Sequence, residues 1–327
     1  WGKWPTLARG QVEAILLTMA RPGIGPDEDN NSFPNTVKHL NVYNAFAAGG
    51  TMPPAGGALL GLVVDANTGQ GLAGATITII PKTGGTSRTT TTRADGTFTA
   101  TNLPAGTYKV SASKPGYVTT TDEVEWEVRE GCWDRVPFIA LPRTQASDVY
   151  TVVLEWRGWC DIFDLDSYLW LPDTLPPRNR YMVYWLDRGN FNVHPFARLL
   201  RDEPGEMPER TWWPLFVEAL TFRARYTGTY RFAVNSFGGG TNWACADAVV
   251  RLYRGSSLVG TFLARNATGS GVWWNVFTVS GTTVAAVNQL TTEFPGPYGE
   301  DILQGAPQKK APAGAALPQG QYKYRAR

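Results

Sequence analysis

The sequence predicts an all-β protein, built of two tandem β-sandwich domains with extended N- and C-terminal arms. Short segments alternate between apolar and polar residues with period two, the pattern of strands that bury one face. Clusters of Pro, Gly, Asn and Asp, the residues of tight turns, separate these segments. The composition agrees, since 13 Trp, 13 Tyr and 14 Phe accompany 35 Gly and 23 Pro in 327 residues, and aromatic residues favour sheets.

Residues 1–56 are predicted to form an N-terminal arm that serves in assembly. Pro and Gly clusters at 21–26 and 47–50 end any helix there. Periodicity leaves open whether the apolar segment 7–20 is a short amphipathic helix or an extended strand. Each large apolar side chain in it contributes about 1.5–3 kcal/mol when buried. We therefore expect this segment to be covered, either by its own sandwich or by a neighbouring copy. The assembly residues are Trp1, Trp4, Ile15, Leu16, Leu17 and Met19.

Residues 57–143 carry the clearest strand and turn signals. Ile77 and Ile79 alternate with threonines, and similar alternation recurs at 108–112 and 124–128. Glycine-containing turns are predicted at Asn67-Thr68-Gly69, Asp95-Gly96, Pro104-Ala105-Gly106 and Lys114-Pro115-Gly116. This stretch is therefore predicted to fold as a small β-sandwich.

Four motifs of this stretch resemble the carboxypeptidase regulatory-like domain, a transthyretin-like sandwich of seven strands. They are Gly74-Ala75-Thr76-Ile77-Thr78, Ala94-Asp95-Gly96-Thr97-Phe98, Asn102-Leu103-Pro104-Ala105-Gly106-Thr107-Tyr108 and Lys114-Pro115-Gly116-Tyr117. The resemblance extends over about residues 57–142 and implies a non-catalytic accessory module. Such a fold does not by itself fix a function.

A compact linker at 142–147 is expected to lead into a second β-sandwich at 148–290. Alternation in this region predicts strands at 150–156, 230–234 and 272–279. Segments 164–172, 228–234 and 274–277 resemble a poorly characterised family of secreted bacterial and archaeal sandwich domains. Residues 291–327, rich in Pro and Gly, are predicted to form a C-terminal arm.

Three cysteines leave one over after a single pairing. Cys160 follows the strand at 150–156, and Cys245 opens a predicted strand at 246–253. If these strands are antiparallel neighbours, both cysteines lie at the same end of a sheet, so we expect a Cys160–Cys245 disulfide. Three buried thiols in a reducing compartment are the alternative.

A candidate site for calcium binding is formed by Asp161, Asp164 and Asp166, because calcium takes six to eight oxygen ligands in a loop. The spacing differs from the twelve-residue calcium loop, and Asp side chains that cap a turn explain the cluster equally well. No other cofactor is expected. His39 and His194 each stand alone and are interpreted as ordinary surface or core residues.

No catalytic motif is present, and we expect a protein that is not an enzyme. A nucleophile elbow of the G-x-S-x-G type is missing. The acidic pairs Asp202-Glu203 and Glu206 with Glu209 would have to face each other across a cleft to act as a glycosidase pair. With 30 basic and 28 acidic residues and a net charge of +2, the chain has no basic stripe for nucleic acid. Its longest apolar run is too short to span a membrane.

Tryptophans are the remaining candidates for recognition. In the pairs Trp212-Trp213 and Trp273-Trp274 one ring should point inward and the other outward. The outward rings, with Trp185 and Trp243, would form a platform for sugars or a partner, unless loops cover them. Asn30 and Asn266 match the glycan acceptor pattern.

Taken together, these features predict an extracellular structural subunit of a filament, a pilus-like appendage or a surface sheath. Its partner would be itself, because an arm that docks head to tail on the next copy propagates without closing. A secreted adhesin or carbohydrate-binding protein of the cell surface, recognising surface glycans or other surface proteins, is the alternative. Because the chain begins at Trp1, we also expect a processed form whose secretory signal has been removed.

Overall fold

The computed structural model describes residues 21–22, 38–39 and 56–295, apart from 123–124, 131–132, 136–138, 158–161, 163, 173–181 and 204–214. Within this part the protein is all-β, as the sequence predicts, with one four-residue helix and one 3₁₀ turn. The short strands β1 (Arg21–Pro22) and β2 (Lys38–His39) pair antiparallel. No helix among the described residues is long and apolar enough to cross a membrane. Most of the two predicted arms lies outside the described residues.

Nine strands from residue 57 to residue 141 form a first sandwich of two sheets. They are β3 (Gly57–Asp65), β4 (Thr76–Pro81), β5 (Arg88–Thr91), β6 (Thr97–Leu103), β7 (Gly106–Ser113), β8 (Thr120–Thr121), β9 (Trp126–Val128), β10 (Trp133–Arg135) and β11 (Ile139–Leu141). In one sheet β10, β6 and β11 all pair with β3, and in the other the order is β5-β4-β7-β8, with β9 also paired to β7.

The core of the first sandwich follows the predicted alternation. Ile77 and Ile79 of β4 and Val110 of β7 are fully or almost fully buried and pack against Leu59 and Phe98 of the opposite sheet. The predicted turn at Asp95-Gly96 is also confirmed. Gly96 has φ +82°, and the Asp95 carboxylate accepts a hydrogen bond of 2.9 Å from the Thr97 N–H. Only glycine adopts such a φ without a steric cost.

Twelve strands and the short helix form the second sandwich. The elements are β12 (Val149–Arg157), β13 (Leu165–Trp170), β14 (Met182–Val183), β15 (Gly189–Asn190), β16 (Ala197–Arg201), β17 (Leu215–Arg223), β18 (Thr229–Ser236), α1 (Trp243–Ala246), β19 (Val249–Arg254), β20 (Ser257–Leu263), a 3₁₀ turn (Ala264–Asn266), β21 (Thr268–Gly269), β22 (Trp273–Ser280) and β23 (Thr283–Thr291). The inner sheet has the order β15-β16-β17-β12-β19-β20, and the outer sheet has the order β14-β13-β18-β22-β23-β21.

The core of the second sandwich lies between these two sheets. The alternating residues of β12, Tyr150, Val152, Leu154 and Trp156, all point into it, as predicted, and they meet the buried side chains of β18. The start of the strand after Cys245 differs from the prediction. Residues 243–246 form α1, because the Asn242 side chain accepts a hydrogen bond from the Cys245 N–H and caps the turn, and the strand begins only at Val249.

The inner sheet is covered on its second face by the first sandwich. Val153, Val217, Ala219 and Tyr253 of this sheet form one apolar cluster with four buried residues of the first sandwich. These four residues are Val64, Ala66, Val118 and Ala140. The hydroxyl groups of Thr120 and Tyr253 lie 3.1 Å apart across the joint. The inner sheet is therefore buried on both faces.

A buried ion pair lies at this interface between the two sandwiches. The Arg251 guanidinium donates to the Glu155 carboxylate at 2.6 Å, and both side chains are almost completely buried. The second oxygen of Glu155 accepts a hydrogen bond of 3.1 Å from the Ala140 N–H of the first sandwich. Burial by itself would lower the pKa of Arg251, but the charge of Glu155 outweighs it and the pKa is raised. The hydrogen bond between Glu155 and Ala140 thus links the two sandwiches.

Replacement of Arg251 by methionine is expected to lower the free energy of unfolding by about 3–5 kcal/mol, because it leaves the Glu155 carboxylate buried without its partner. Urea denaturation followed by fluorescence measures this loss. Lys82→Met is the matched control, since Lys82 pairs with Glu125 at the exposed surface and such pairs contribute at most about 1 kcal/mol. Equal losses in the two variants would contradict the role assigned to the buried pair.

Candidate functional site

The outer sheet has a second face, opposite the core, on which no further sheet of the described residues packs. On β18 the residues Tyr230, Phe232 and Val234 point into the core, so Arg231 and Ala233 between them lie on the opposite face. Pairing of β18 with β13 and β22 places Arg231 in one row with Trp170 and Thr278. The next row contains Tyr168, Ala233, Asn275 and Gln289. Aromatic, cationic and amide side chains therefore share this face.

An aromatic cluster occupies one end of the face. Tyr168, Trp170 and Trp273 pack together, and Phe294 lies edge-on over them. The Phe294 ring centroid is 5.3 Å from that of Trp170 and 4.9 Å from that of Trp273. The predicted alternation in the pair Trp273-Trp274 is confirmed, because Trp274 is in the core and Trp273 on the outer face. Trp273 is only 9% exposed, so Phe294 is the more accessible ring.

A groove of about 760 Å³ runs along this face beside Phe294. We call it the outer groove. Its lining includes Trp170, Arg231, Asn275, Thr278, Gln289 and Phe294. Ligand sites of this kind combine apolar and aromatic walls with a few polar groups that fix orientation.

Two hydrogen bonds fix the wall of the outer groove. The Asn275 amide nitrogen donates to the Thr291 hydroxyl at 3.2 Å, and this hydroxyl donates to the Glu293 carbonyl at 3.0 Å. They hold residues 291–295 against the sheet, so that Phe294 reaches the aromatic cluster. The arrangement can stack a flat apolar surface on a ring while amides bind hydroxyl groups.

A second feature is a group of three carboxylates between the sheets. Oxygen atoms of Asp166, Asp202 and Glu218 all lie within 4.8 Å of one another. Glu218 is 1% exposed and accepts hydrogen bonds from the backbone N–H groups of Ser167 and Glu203. Burial, followed by the charge of Asp166, raises the pKa of Glu218 well above its ordinary value.

The group of carboxylates in the structure therefore differs from the calcium site predicted from the sequence. Asp166 lies with Asp202, which directly follows β16, and with Glu218 of β17, and Asp164 does not belong to this group. Asp161 lies outside the described residues, so the calcium hypothesis stays untested. The acidic residues of the suggested glycosidase pair that are described have basic partners, since Asp202 pairs with Arg188 and Glu203 with Arg201.

The remaining predicted residues are placed as follows. The sulfur of Cys245 is engaged in a disulfide bond, but Cys160 lies outside the described residues, and the Cys160–Cys245 pairing stays a prediction. Asn266 is exposed at the end of the 3₁₀ turn. The His194 ring lies 2.6 Å from the Tyr226 hydroxyl. Outside the described residues are Trp1, Trp4, Ile15, Leu16, Leu17, Met19, Asn30, Trp212 and Trp213.

Sequence reasoning missed the outer groove and the buried carboxylate. Alternation within 229–236 would have placed Arg231 opposite the apolar face, but nothing local indicates that Asn275 and Phe294 lie beside it. Glu218 did carry a signal. Glu218 lies two residues from each of the core residues Phe216 and Leu220, so its side chain points to the same side of the strand. An acid at a core position of a strand is unusual.

Residues 58–131 match the family model described as the carboxypeptidase regulatory-like domain. The predicted resemblance of the first sandwich is therefore confirmed, over less than a quarter of the chain. No curated protein shows a significant match.

Several solved structures are similar to parts of the chain. The 5-hydroxyisourate hydrolase of Klebsiella pneumoniae shares 20% identity with a TM-score of 0.21, over 28% of this chain and 92% of its own. A putative carbohydrate binding protein from Bacteroides uniformis shares 12% identity with a TM-score of 0.23, over 69% of this chain and 99% of its own. The major pilin SpaD of Corynebacterium diphtheriae shares 13% identity with a TM-score of 0.22, over 64% of this chain and 65% of its own. Similarities this low carry no information about function.

The buried carboxyl of Glu218 is expected to make the protein less stable as the pH rises. Its pKa is raised above the value of 4.5 for an unperturbed glutamate, so between 4.5 and the raised pKa the folded state holds more protons than the unfolded state. Stability contributed by the neutral carboxyl is then lost through this interval. Glu218→Gln should make the decrease of stability with rising pH smaller. Melting temperatures measured from pH 4 upward, in steps of about half a pH unit, test this. The exposed Glu127→Gln is the control, and equal slopes in both variants would refute the expectation.

Proposed function

We propose that this protein is an extracellular β-sandwich protein of the cell surface that binds carbohydrate through the outer groove. The observation that carries the proposal is the combination, in one groove, of the Phe294 ring with the amides of Asn275 and Gln289. A sugar ring has an apolar face that packs on an aromatic ring. Its hydroxyl groups both donate and accept hydrogen bonds, which suits side-chain amides.

The lining of the groove favours binding over hydrolysis. Among the described residues that line it, Glu293 is the sole carboxylate, whereas glycoside hydrolysis ordinarily needs two carboxyl groups across the scissile bond. The face is also displayed on strands of a sheet, and a rigid scaffold lowers the entropic cost of binding. We therefore assign the groove a recognition role.

Phe294→Ala is expected to weaken polysaccharide binding about tenfold or more, the loss of one stacking contact between a ring and its ligand. Affinity electrophoresis through gels that contain xylan, mannan, dextran or pectin measures this. Phe237→Ala is the matched control, because Phe237 is 43% exposed outside the groove. The proposal fails if none of these polymers retards the protein, or if the two phenylalanine variants behave alike.

A filament or sheath subunit remains a second candidate, favoured by one feature of the inner sheet. Strand β20 is its last strand and pairs on its outer side with no strand among the described residues. Leu258 and Val259 on this strand are 48% and 40% exposed. An open apolar edge is a template for a further strand, and the N-terminal arm of a neighbouring copy would supply it.

Deletion of residues 1–20 should convert assemblies into monomers if this second candidate is correct, because the deletion removes Ile15, Leu16, Leu17 and Met19. Light scattering and negative-stain electron microscopy of the full chain and the truncated chain give the answer. Ile15→Asp with Leu17→Asp tests the same apolar contacts at unchanged length. A full chain that stays monomeric at all concentrations, or polymers that persist after the deletion, would exclude docking through the N-terminal arm.

A further inference from the structure

We propose, on the basis of the carbohydrate-binding role suggested above, that the outer groove selects acidic polysaccharides and that Arg231 binds the carboxylate of a uronic acid residue. Arg231 lies on β18 in the row that contains Trp170 and Thr278, and it lines the groove. Its side chain is exposed to solvent. The guanidinium can therefore meet a ligand without any rearrangement of the sheet.

The charge of Arg231 is available for a ligand. Arg188, Arg201 and Arg251 each form an ion pair with a carboxylate. Arg231, in contrast, makes no ion pair or side-chain hydrogen bond with any residue in the described part of the chain. Glu293, the one acid in the described lining, forms no ion pair with it. The groove therefore contains a cation that no described residue neutralises through an ion pair.

A carboxylate fits this cation by geometry. A guanidinium presents paired N–H donors in a planar fork, which matches the two oxygens of a carboxylate. Beside Arg231, the hydroxyl of Thr278 and the amide of Asn275 can bind the hydroxyl groups of the same sugar. A uronic acid combines both sets of groups on one ring. A neutral sugar would leave the guanidinium without a partner.

The overall charge does not provide this selectivity. The chain has a net charge of +2, which is too small to attract polyanions in general. Preference for an acidic polymer would therefore depend on the local charge in the groove. Glu293 repels an anionic ligand. Removal of its negative charge should therefore strengthen binding of an acidic polymer, and removal of the positive charge of Arg231 should weaken it.

Binding to polygalacturonate and to the fully methyl-esterified form of the same polymer tests the inference. These polymers differ in the carboxylate charge and otherwise share their sugar ring. We expect the protein to prefer polygalacturonate by about tenfold, as for one charge-assisted contact. Arg231→Gln should abolish the preference, and Glu293→Gln should increase it. Arg198→Gln removes an exposed charge from β16 of the inner sheet and should change nothing.

Each other outcome has a defined meaning. Equal binding of the two polymers, or the same behaviour of the Arg231→Gln and Arg198→Gln variants, overturns the inference but leaves carbohydrate binding in place. Preference for dextran sulfate over polygalacturonate overturns the assignment to uronic acids, because a sulfate group would then be the ligand. No binding of any polymer overturns the carbohydrate-binding role itself.

Discussion

The buried carboxylate of Glu155 constrains the arrangement of the two sandwiches. One of its oxygens is paired with Arg251 of the same sheet, and the other accepts a hydrogen bond from the Ala140 N–H, so it is satisfied only when the end of the first sandwich is in place. The apolar cluster that includes Val153 and Tyr253 packs the two sandwiches against each other. Another relative placement of the two sandwiches would remove this hydrogen bond and leave a buried carboxylate oxygen and a buried N–H without a partner.

This placement decides which faces of the two sheets are covered. The inner sheet has a core on one side and the first sandwich on the other, so its faces are occupied. The outer sheet has the core on one side, and no second sheet of the described residues packs on its other face. This other face carries Arg231, Asn275 and Gln289 beside the aromatic cluster. The chain continues past β23 and returns over this face, where Phe294 closes the aromatic cluster.

The first sandwich then has a supporting role. It matches the carboxypeptidase regulatory-like domain by sequence and supplies the surface against which the inner sheet packs. Asp65 holds the linker that follows the first sandwich, because the Asp65 carboxylate accepts hydrogen bonds from the Tyr117 hydroxyl and the Arg143 guanidinium. The held linker and the buried interface join the two sandwiches into one unit. The outer groove therefore keeps one orientation relative to the first sandwich.

The sequence by itself determined the all-β class, the turns and the inward faces of the strands. Ile77, Tyr150 and Gly96 were predictable because period-two alternation and the φ of a turn are local properties. Only the tertiary structure decided that Arg231, Asn275 and Phe294 share a groove, and that Glu218 meets Asp166. These contacts depend on the order and register of strands that are distant in the chain. Register depends on the packing of whole faces and is not encoded in any single segment.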